Sequence, residues 1–223
     1  MVSSAYTGRV RLLSLIALHY GSNTQSVHAE LDGATQHDQD VVLARDSDWV
    51  FDFFNQDVYH TYQAGAIINA NASTFPATVG NGLAMSWVVL GPCAMQPPHY
   101  HPRAANYITV VSGSIQTWMM AENNEPVVTN ALQKGQMTIF PTGSLHAMQN
   151  LGCENATVIT ALSSEDPGTQ TLANSLFNLP WSIVSAAFGY QDISQMNYTV
   201  PALAGGVVSG EKQCQKGCGI DMP

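Results

Sequence analysis

The stretch Gly135-Gln136-Met137-Thr138-Ile139-Phe140-Pro141-Thr142-Gly143-Ser144-Leu145-His146-Ala147-Met148-Gln149-Asn150 decides how this chain is read. Met137–Phe140 has strand character, with Gly135 ahead of it and a Pro141/Gly143 turn behind it. Pro141 fixes φ and Gly143 tolerates the positive φ of a tight reversal, so Leu145–Asn150 is expected to fold back against Met137–Phe140. Side chains alternate along a strand, which puts His146, Met148 and Asn150 on one face.

Upstream lies a second informative segment, Gly91 to Asn106, containing Pro97-Pro98-His99-Tyr100-His101-Pro102-Arg103-Ala104-Ala105-Asn106. His99 and His101 are two apart, so on a strand both imidazoles face one way while Tyr100 faces the other. A His-x-His pair alone is a weak signal, because surface strands carry such pairs often. His146, arriving from a separate hairpin, changes the reading. Three imidazoles from two hairpins are what a barrel needs to enclose one divalent ion.

The two segments resemble the paired motifs of the cupin superfamily, Gly-x5-His-x-His-x3–4-Glu-x6-Gly and then Gly-x5-Pro-x-Gly-x2-His-x3-Asn. The second is matched at every fixed position, by Gly135, Pro141, Gly143, His146 and Asn150. The first is matched at His99, His101 and Gly113, while Gly91 lies two positions too far upstream. The run from His101 to Ala104, and the later Ser163–Gly168, are similar to germin-like proteins of the spherulin type from fungi and slime moulds, a likeness that extends from about Arg45 to the C-terminus. The resemblance implies an all-β fold, the cupin double-stranded β-helix or jelly-roll barrel. It also implies one divalent metal ion (Mn, Zn, Cu, Ni or Fe) on His99, His101 and His146.

One position departs from the family. Where the motif has a glutamate ligand, this chain has Asn106, and a bulge is expected to re-aim that residue inward. An amide oxygen can coordinate but carries no charge, so an occupied site would hold a net charge of about +2 instead of +1. Hard cations should bind less well, while a retained ion would be a stronger Lewis acid. Asn106 thus marks a specialised metal enzyme, a lineage that lost metal chemistry, or an amide that orients substrate. The resemblance most readily implies an oxidase or dioxygenase acting on a small organic molecule, with a biosynthetic cyclase or isomerase as a variant. A non-catalytic wall, encystment or small-molecule-binding protein is the alternative from another class. A homo-oligomer is implied too.

The rest of the chain fits a barrel with extensions. Strand-length segments are expected at Leu83–Leu90, Tyr107–Val111, Ile115–Met120 and Thr157–Leu162, together with the two already named. Helical spacing appears at Thr171–Leu179 and Trp181–Phe188, giving short C-terminal helices that cap the barrel or meet a neighbouring subunit. The organisation is therefore a leader at 1–29, an N-terminal arm with short strands at 30–80, the barrel core at 81–168, and a tail at 169–223 that becomes extended after Pro201. Met85, Met95, Met119, Met137 and Met148 read as core packing, and a mouth lined by Met and Trp118 would suit an aromatic substrate. His19, His28, His37 and His60 read as solvated. Arg103 could pair with a nearby acidic group or with substrate, and a surface role is favoured.

Composition narrows the setting. The 223 residues carry only 7 Lys and Arg against 16 Asp and Glu, a net charge of -9, and the cations are scattered. Nucleic-acid backbones need clustered positive charge, so that partner class is excluded. Arg9 and Arg11 precede the apolar run Leu12–Leu18, and Val27-His28-Ala29 offers a cleavage site before Glu30, the pattern of a secretory signal. Asn71, Asn155 and Asn197 each head an Asn-x-Ser/Thr sequon. Four cysteines, Cys93, Cys153, Cys214 and Cys218, permit two disulfides in three connectivities. Cys93–Cys153 with Cys214–Cys218 is favoured, because Cys93 and Cys153 each flank one motif. No apolar run is long enough for a membrane span.

Overall fold

The computed structural model describes residues 31, 35–56, 64–189, 200 and 206–220. The leader segment, His19, His28, His60 and Asn197 lie outside them. Among the described residues there are eleven strands: β1 Gly65–Ala70, β2 Ala84–Leu90, β3 Ala94–Tyr100, β4 Asn106–Ser112, β5 Ser114–Met120, β6 Val128–Gln133, β7 Met137–Phe140, β8 Leu145–Gln149, β9 Ala156–Leu162, β10 Gln170–Thr171 and β11 Val208–Ser209. Short helices are α1 Gln36–Val42, α2 Leu172–Leu176, α3 Trp181–Ala187 and α4 Lys212–Gly217. All pairings are antiparallel. One sheet has the order β1-β2-β9-β4-β7, and the other β10-β3-β8-β5-β6 with β11 also on β3. This is the jelly-roll architecture.

Alternation along the strands builds the interior. On β4, Asn106, Ile108 and Val110 are buried while Tyr107 and Thr109 face out; on β9, Ala156, Val158, Thr160 and Leu162 face in. Val88, Leu90, Ile108, Val110, Ile115, Phe140, Met148 and Val158 fuse into one apolar core between the sheets. Asn150 closes the base: its amide donates to the carbonyls of Leu90, Gly91 and Glu154 and its oxygen accepts from Gly152 N–H. Gly113 carries the chain from β4 in one sheet to β5 in the other at φ +73°, and a Cβ there would sit 2.9 Å from Ala156 Cβ and 3.0 Å from its Cα. No side chain fits there.

Several sequence expectations need correction. Met137–Phe140 and Leu145–Asn150 do not pair with each other. β7 pairs with β4, and β8 pairs with β3 and β5, so the Pro141–Ser144 turn carries the chain between sheets. The two motifs instead meet directly, with His99 opposite His146 on neighbouring strands. The N-terminal arm is not made of strands in its described part before Gly65. Thr35 and Asp38 form a capping box that starts α1, and Asp46–Trp49 is a 3-10 turn. Phe53 and Phe54 pack on Trp87, covering the outer face of β2. The tail is not merely extended, since it contains β11 and α4. Met148 is core, but Met85 and Met137 are exposed, because odd-face positions of β2 and β7 point to solvent. His37 is exposed, as expected.

The disulfide pairing is also different. Cys93 bonds Cys214 and Cys153 bonds Cys218. Cys214 and Cys218 are four apart across α4, so they emerge on one helical face and reach out to the barrel rather than to each other. Cys93 and Cys153 sit side by side at the base, where Cys93 N–H donates to Gly152 O. Peptide mapping without reduction is expected to recover these two bridges. They span 121 and 65 residues. Loop-closure entropy then gives each roughly 4–5 kcal/mol of stabilisation. Replacing Cys153 and Cys218 by serine should lower the melting temperature by ten degrees or so, at about 2–4 °C per kcal/mol for a domain of this size.

Candidate metal centre

β3 and β8 position two histidines and the first residue beyond β3 positions the third. His99, His101 and His146 are all buried, with ring centroids 4.2–5.4 Å apart, and one ring nitrogen from each lies within 4.8 Å of the others. The β3 ladder shifts register between Gln96 and His99, where Pro97 and Pro98 cannot donate to it. The irregularity expected near Asn106 lies here instead. Asn106 needs no bulge, because it opens β4 in regular register with Phe140 and Leu162, on the inward side of the alternation.

Each imidazole is locked by a backbone carbonyl. Nδ1 of His99 lies 2.8 Å from Pro97 O, Nδ1 of His101 lies 2.7 Å from Gly168 O, and Nδ1 of His146 lies 2.8 Å from Ser144 O. A carbonyl only accepts, so each Nδ1 carries the proton and each Nε2 keeps its lone pair. Nε2 of His99 and of His146 are buried with no partner, as is Asn106 Oδ1. Asn106 Nδ2 lies 3.4 Å from His101 Nε2. Phe140 stacks on the His146 ring at 4.1 Å and 16°. Buried lone pairs left unpaired are costly in a finished protein interior. Among the described residues, three of the four buried side-chain polar atoms without a partner belong to this cluster, the fourth being Gln149 Nε2, and the Nδ1 atoms have the carbonyl support typical of metal-bound histidines. The donor set fits a divalent ion.

The electrostatics agree. Burial, and then the neighbouring His146, push His99 well below its usual 6.5. Burial lowers His101 against the opposing bond to Gly168, and it pushes His146 down to about 4. All three are neutral at pH 7, the form that binds metal. Unfolding restores ordinary pKa values near 6.5, so below that pH the unfolded chain takes up more protons than the folded one. The metal-free fold should therefore keep full stability above about pH 7 and lose it progressively from pH 6.5 towards 4. Thermal melts across that range check this, and His146→Gln should flatten the dependence.

Two of the three histidines, His99 and His101, line a cavity of about 460 Å³ together with Asn106, Asn69, Ser86, Thr160, Asp166, Thr169 and Gly206 among others, and His146 lies behind them. Met and Trp118 are not among its lining residues, which corrects the expected aromatic-binding mouth: Trp118 lies on β5, which contributes no residue to the lining. Among the described residues no Lys or Arg lines the cavity. Arg103 is a surface residue, as expected, bonding Asp166 at 2.8 Å on the rim. Asn150, although part of the second motif, is a structural tie at the far end. Sequence reasoning missed Asp166, Thr169 and the orienting carbonyls. The Pro167-Gly168 pair was their only trace, because a carbonyl's role depends on where the backbone turns, not on which side chain it carries.

The profile of the cupin family (described as "Cupin") matches residues 51–193. The chain belongs to the cupin family. Among its cupin relatives, Spherulin-1B of Physarum polycephalum is 33% identical over 179 residues, covering 80% of this chain and 72% of that protein. Spherulin-1A of the same organism is 32% identical over 193 residues, covering 86% and 78%. Germin-like protein subfamily 2 member 1 of Arabidopsis thaliana is 34% identical over 129 residues, covering 56% and 58%. In architecture this cupin is similar to oxalate oxidase, with a TM-score of 0.60 at 20% identity over 70% of this chain and 84% of that one. It is also similar to a variant of Bacillus subtilis oxalate decarboxylase, with a TM-score of 0.64 at 19% identity over 72% and 41%.

Proposed function

We propose that this cupin is a secreted, metal-dependent enzyme acting on a small organic molecule, with oxidase or dioxygenase chemistry as the reading supported best. The observation that carries it is the cluster of three neutral, carbonyl-locked imidazoles with ring nitrogens within 4.8 Å of one another, two of which line an accessible cavity. His99, His101 and His146 would hold the ion. Asn106 is the fourth candidate, since a half-turn of its amide exchanges Nδ2 for Oδ1 opposite His101. When bound, a divalent ion supplies Lewis-acid or redox chemistry at that point. The protein's own part is to hold the Nδ1 protons on carbonyls, keep Nε2 free, and present neutral hydrogen-bonding groups (Asn69, Ser86, Thr160, Thr169) to the substrate. Fold neighbours include an oxalate oxidase bound to the substrate analogue glycolate, which supports a small oxygen-rich substrate.

Secretion is supported by the bonding of all four cysteines, which suits an oxidising compartment, and by the exposure of the sequon residue Asn155. Oligomerisation is supported by exposed apolar residues on α3 and the loops flanking it (Leu179, Trp181, Ile183, Phe188) and on the outer sheet face (Tyr107, Met137, Ile139). No described helix is long and apolar enough to cross a membrane. The test of function is oxygen consumption and product analysis with metal-loaded protein on a panel of small hydroxy- and dicarboxylic acids, polyols and enols. Turnover that disappears in His99→Ala supports the enzyme. A loaded protein that binds panel members yet turns none over would favour the non-catalytic reading.

A further inference from the structure

β3, which carries His99, is an edge strand of the core sheet. Beyond β8, its outer edge is covered by two short pieces. β10 pairs with Tyr100 and His99 near the mouth, and β11 pairs with Met95 and Ala94 near the base. The second piece is the C-terminal tail. Val207 is buried in the main apolar core, Val208 is buried beside Met95, and Gly206 lines the same cavity as His99 and His101. Gly210 N–H donates to Cys93 O, and any Cβ on Gly210 would fall 2.3 Å from that oxygen, so the backbone itself is seated on the barrel. Two residues of ladder and two valines make a weak clamp by themselves. The chain then enters α4, bonded to the barrel through both disulfides. Cys93 is held at φ +56°, a conformation that a non-glycine residue adopts only under constraint.

The four sulfurs are not equivalent. Cys153 is exposed, whereas Cys93 is fully buried. Cys218 Sγ nevertheless lies 3.6 Å from Cys93 Sγ, across the two bridges. We propose that the tail is a sulfur-stapled wall of the cavity, released by dithiol reduction that enters at Cys153 and is passed through Cys218 to the buried bridge. A reductant thiolate attacks Cys153 Sγ, and Cys218 leaves as thiolate. The second reductant thiol resolves the mixed disulfide, so two electrons and two protons are delivered and the reductant ends as a cyclic disulfide. The Cys218 thiolate then attacks Cys93, Cys214 leaves, and a Cys93–Cys218 bridge forms with no net electron transfer. A second dithiol reduces that bridge and frees the tail. With its staple gone, β11 leaves β3, the wall at Gly206 opens, and the strand that positions His99 loses its lower clamp.

The test uses the whole protein treated with dithiothreitol. After limited reduction, alkylation should label Cys153 and Cys214, with Cys93 and Cys218 still bridged. Labels on Cys153 and Cys218 beside an intact Cys93–Cys214 bridge would overturn the relay. After full reduction, amide exchange in Ala94–Tyr100 should quicken tenfold or more while the far-UV circular dichroism of the barrel persists. Unchanged exchange would overturn the proposal, and so would global unfolding, since the device is confined to the tail. Val208→Asp, with both bridges intact, should raise the exchange less than full reduction does, since the staples still hold the tail; exchange as fast as in the reduced parent would contradict it. A third arm, chelator-driven loss of Co(II) from the loaded protein, should quicken tenfold on reduction, and a rate unchanged within twofold would argue against opening at the centre. Only this arm rests on the proposed metal site. If no Co(II) binds at all, that reading fails while labelling and exchange still decide the tail.

Discussion

Replacing His146 by alanine is expected to abolish tight binding of a divalent ion while leaving the barrel folded. Partners that merely orient a metal ligand are worth about 10–100-fold in affinity, so loss of a ligand itself should cost at least hundredfold. His146 is a strong choice because it lies opposite His99, its Nε2 has no protein partner, and Phe140 stacks on its ring. Removing the imidazole leaves Phe140 a small void, for which about 1–2 kcal/mol of destabilisation is expected. It also removes a buried, unpartnered nitrogen, which offsets part of that. The metal-free variant should therefore melt within a few degrees of the parent. Isothermal titration with Zn(II) or Co(II), beside thermal melts of the metal-free proteins, separates the two effects. Retained affinity in a folded variant would remove His146 from the centre.

Asn106→Glu should act in the opposite direction on the loaded protein. Position 106 is buried, its Oδ1 lacks a partner, and its side chain reaches His101 Nε2. A carboxylate there lowers the net charge of the occupied centre from about +2 to +1, and hard ions gain most from charged oxygen. Affinity for Mn(II) is expected to rise by roughly 10–100-fold, which is about 1.4–2.8 kcal/mol, with a smaller gain for Zn(II). The metal-free form should gain nothing from the change. A buried carboxylate among neutral imidazoles must take up a proton or charge a neighbour, so its melting temperature should fall. Electron paramagnetic resonance titration with Mn(II) reads the first effect, and calorimetry reads the second. Unchanged Mn(II) affinity would show that residue 106 is not a ligand.

Much of this architecture was legible because local rules and motif spacing agree. The strands at 84–90, 106–112, 114–120, 137–140, 145–149 and 156–162 follow the apolar alternation nearly residue for residue. The three histidines were legible because two of them share a strand period and the third follows a Pro-x-Gly turn. What stayed hidden was non-local. Pairing partners of β7 and β8 depend on where Pro141–Ser144 sends the chain, and a short turn reads alike in a hairpin and in a crossing between sheets. Val128–Gln133 was missed because its alternating side chains are largely exposed and polar, with only Leu132 reaching the core. The disulfide pairing escaped because the closeness of Cys214 and Cys218 in sequence suggested a small loop, whereas a helix between them turns both towards the barrel. The cavity's polar lining draws single residues from β1, β2, β9 and the loop after β9, a set that no sequence window contains.

Crystals of this cupin soaked with Co(II) or Zn(II), with diffraction collected at the metal absorption edge, give the most direct test. One anomalous peak per chain is expected, about 2.0–2.2 Å from the Nε2 atoms of His99, His101 and His146. A peak at any other place, or a vacant cluster at saturating metal in crystals at neutral pH, would contradict a shared ion at the three imidazoles.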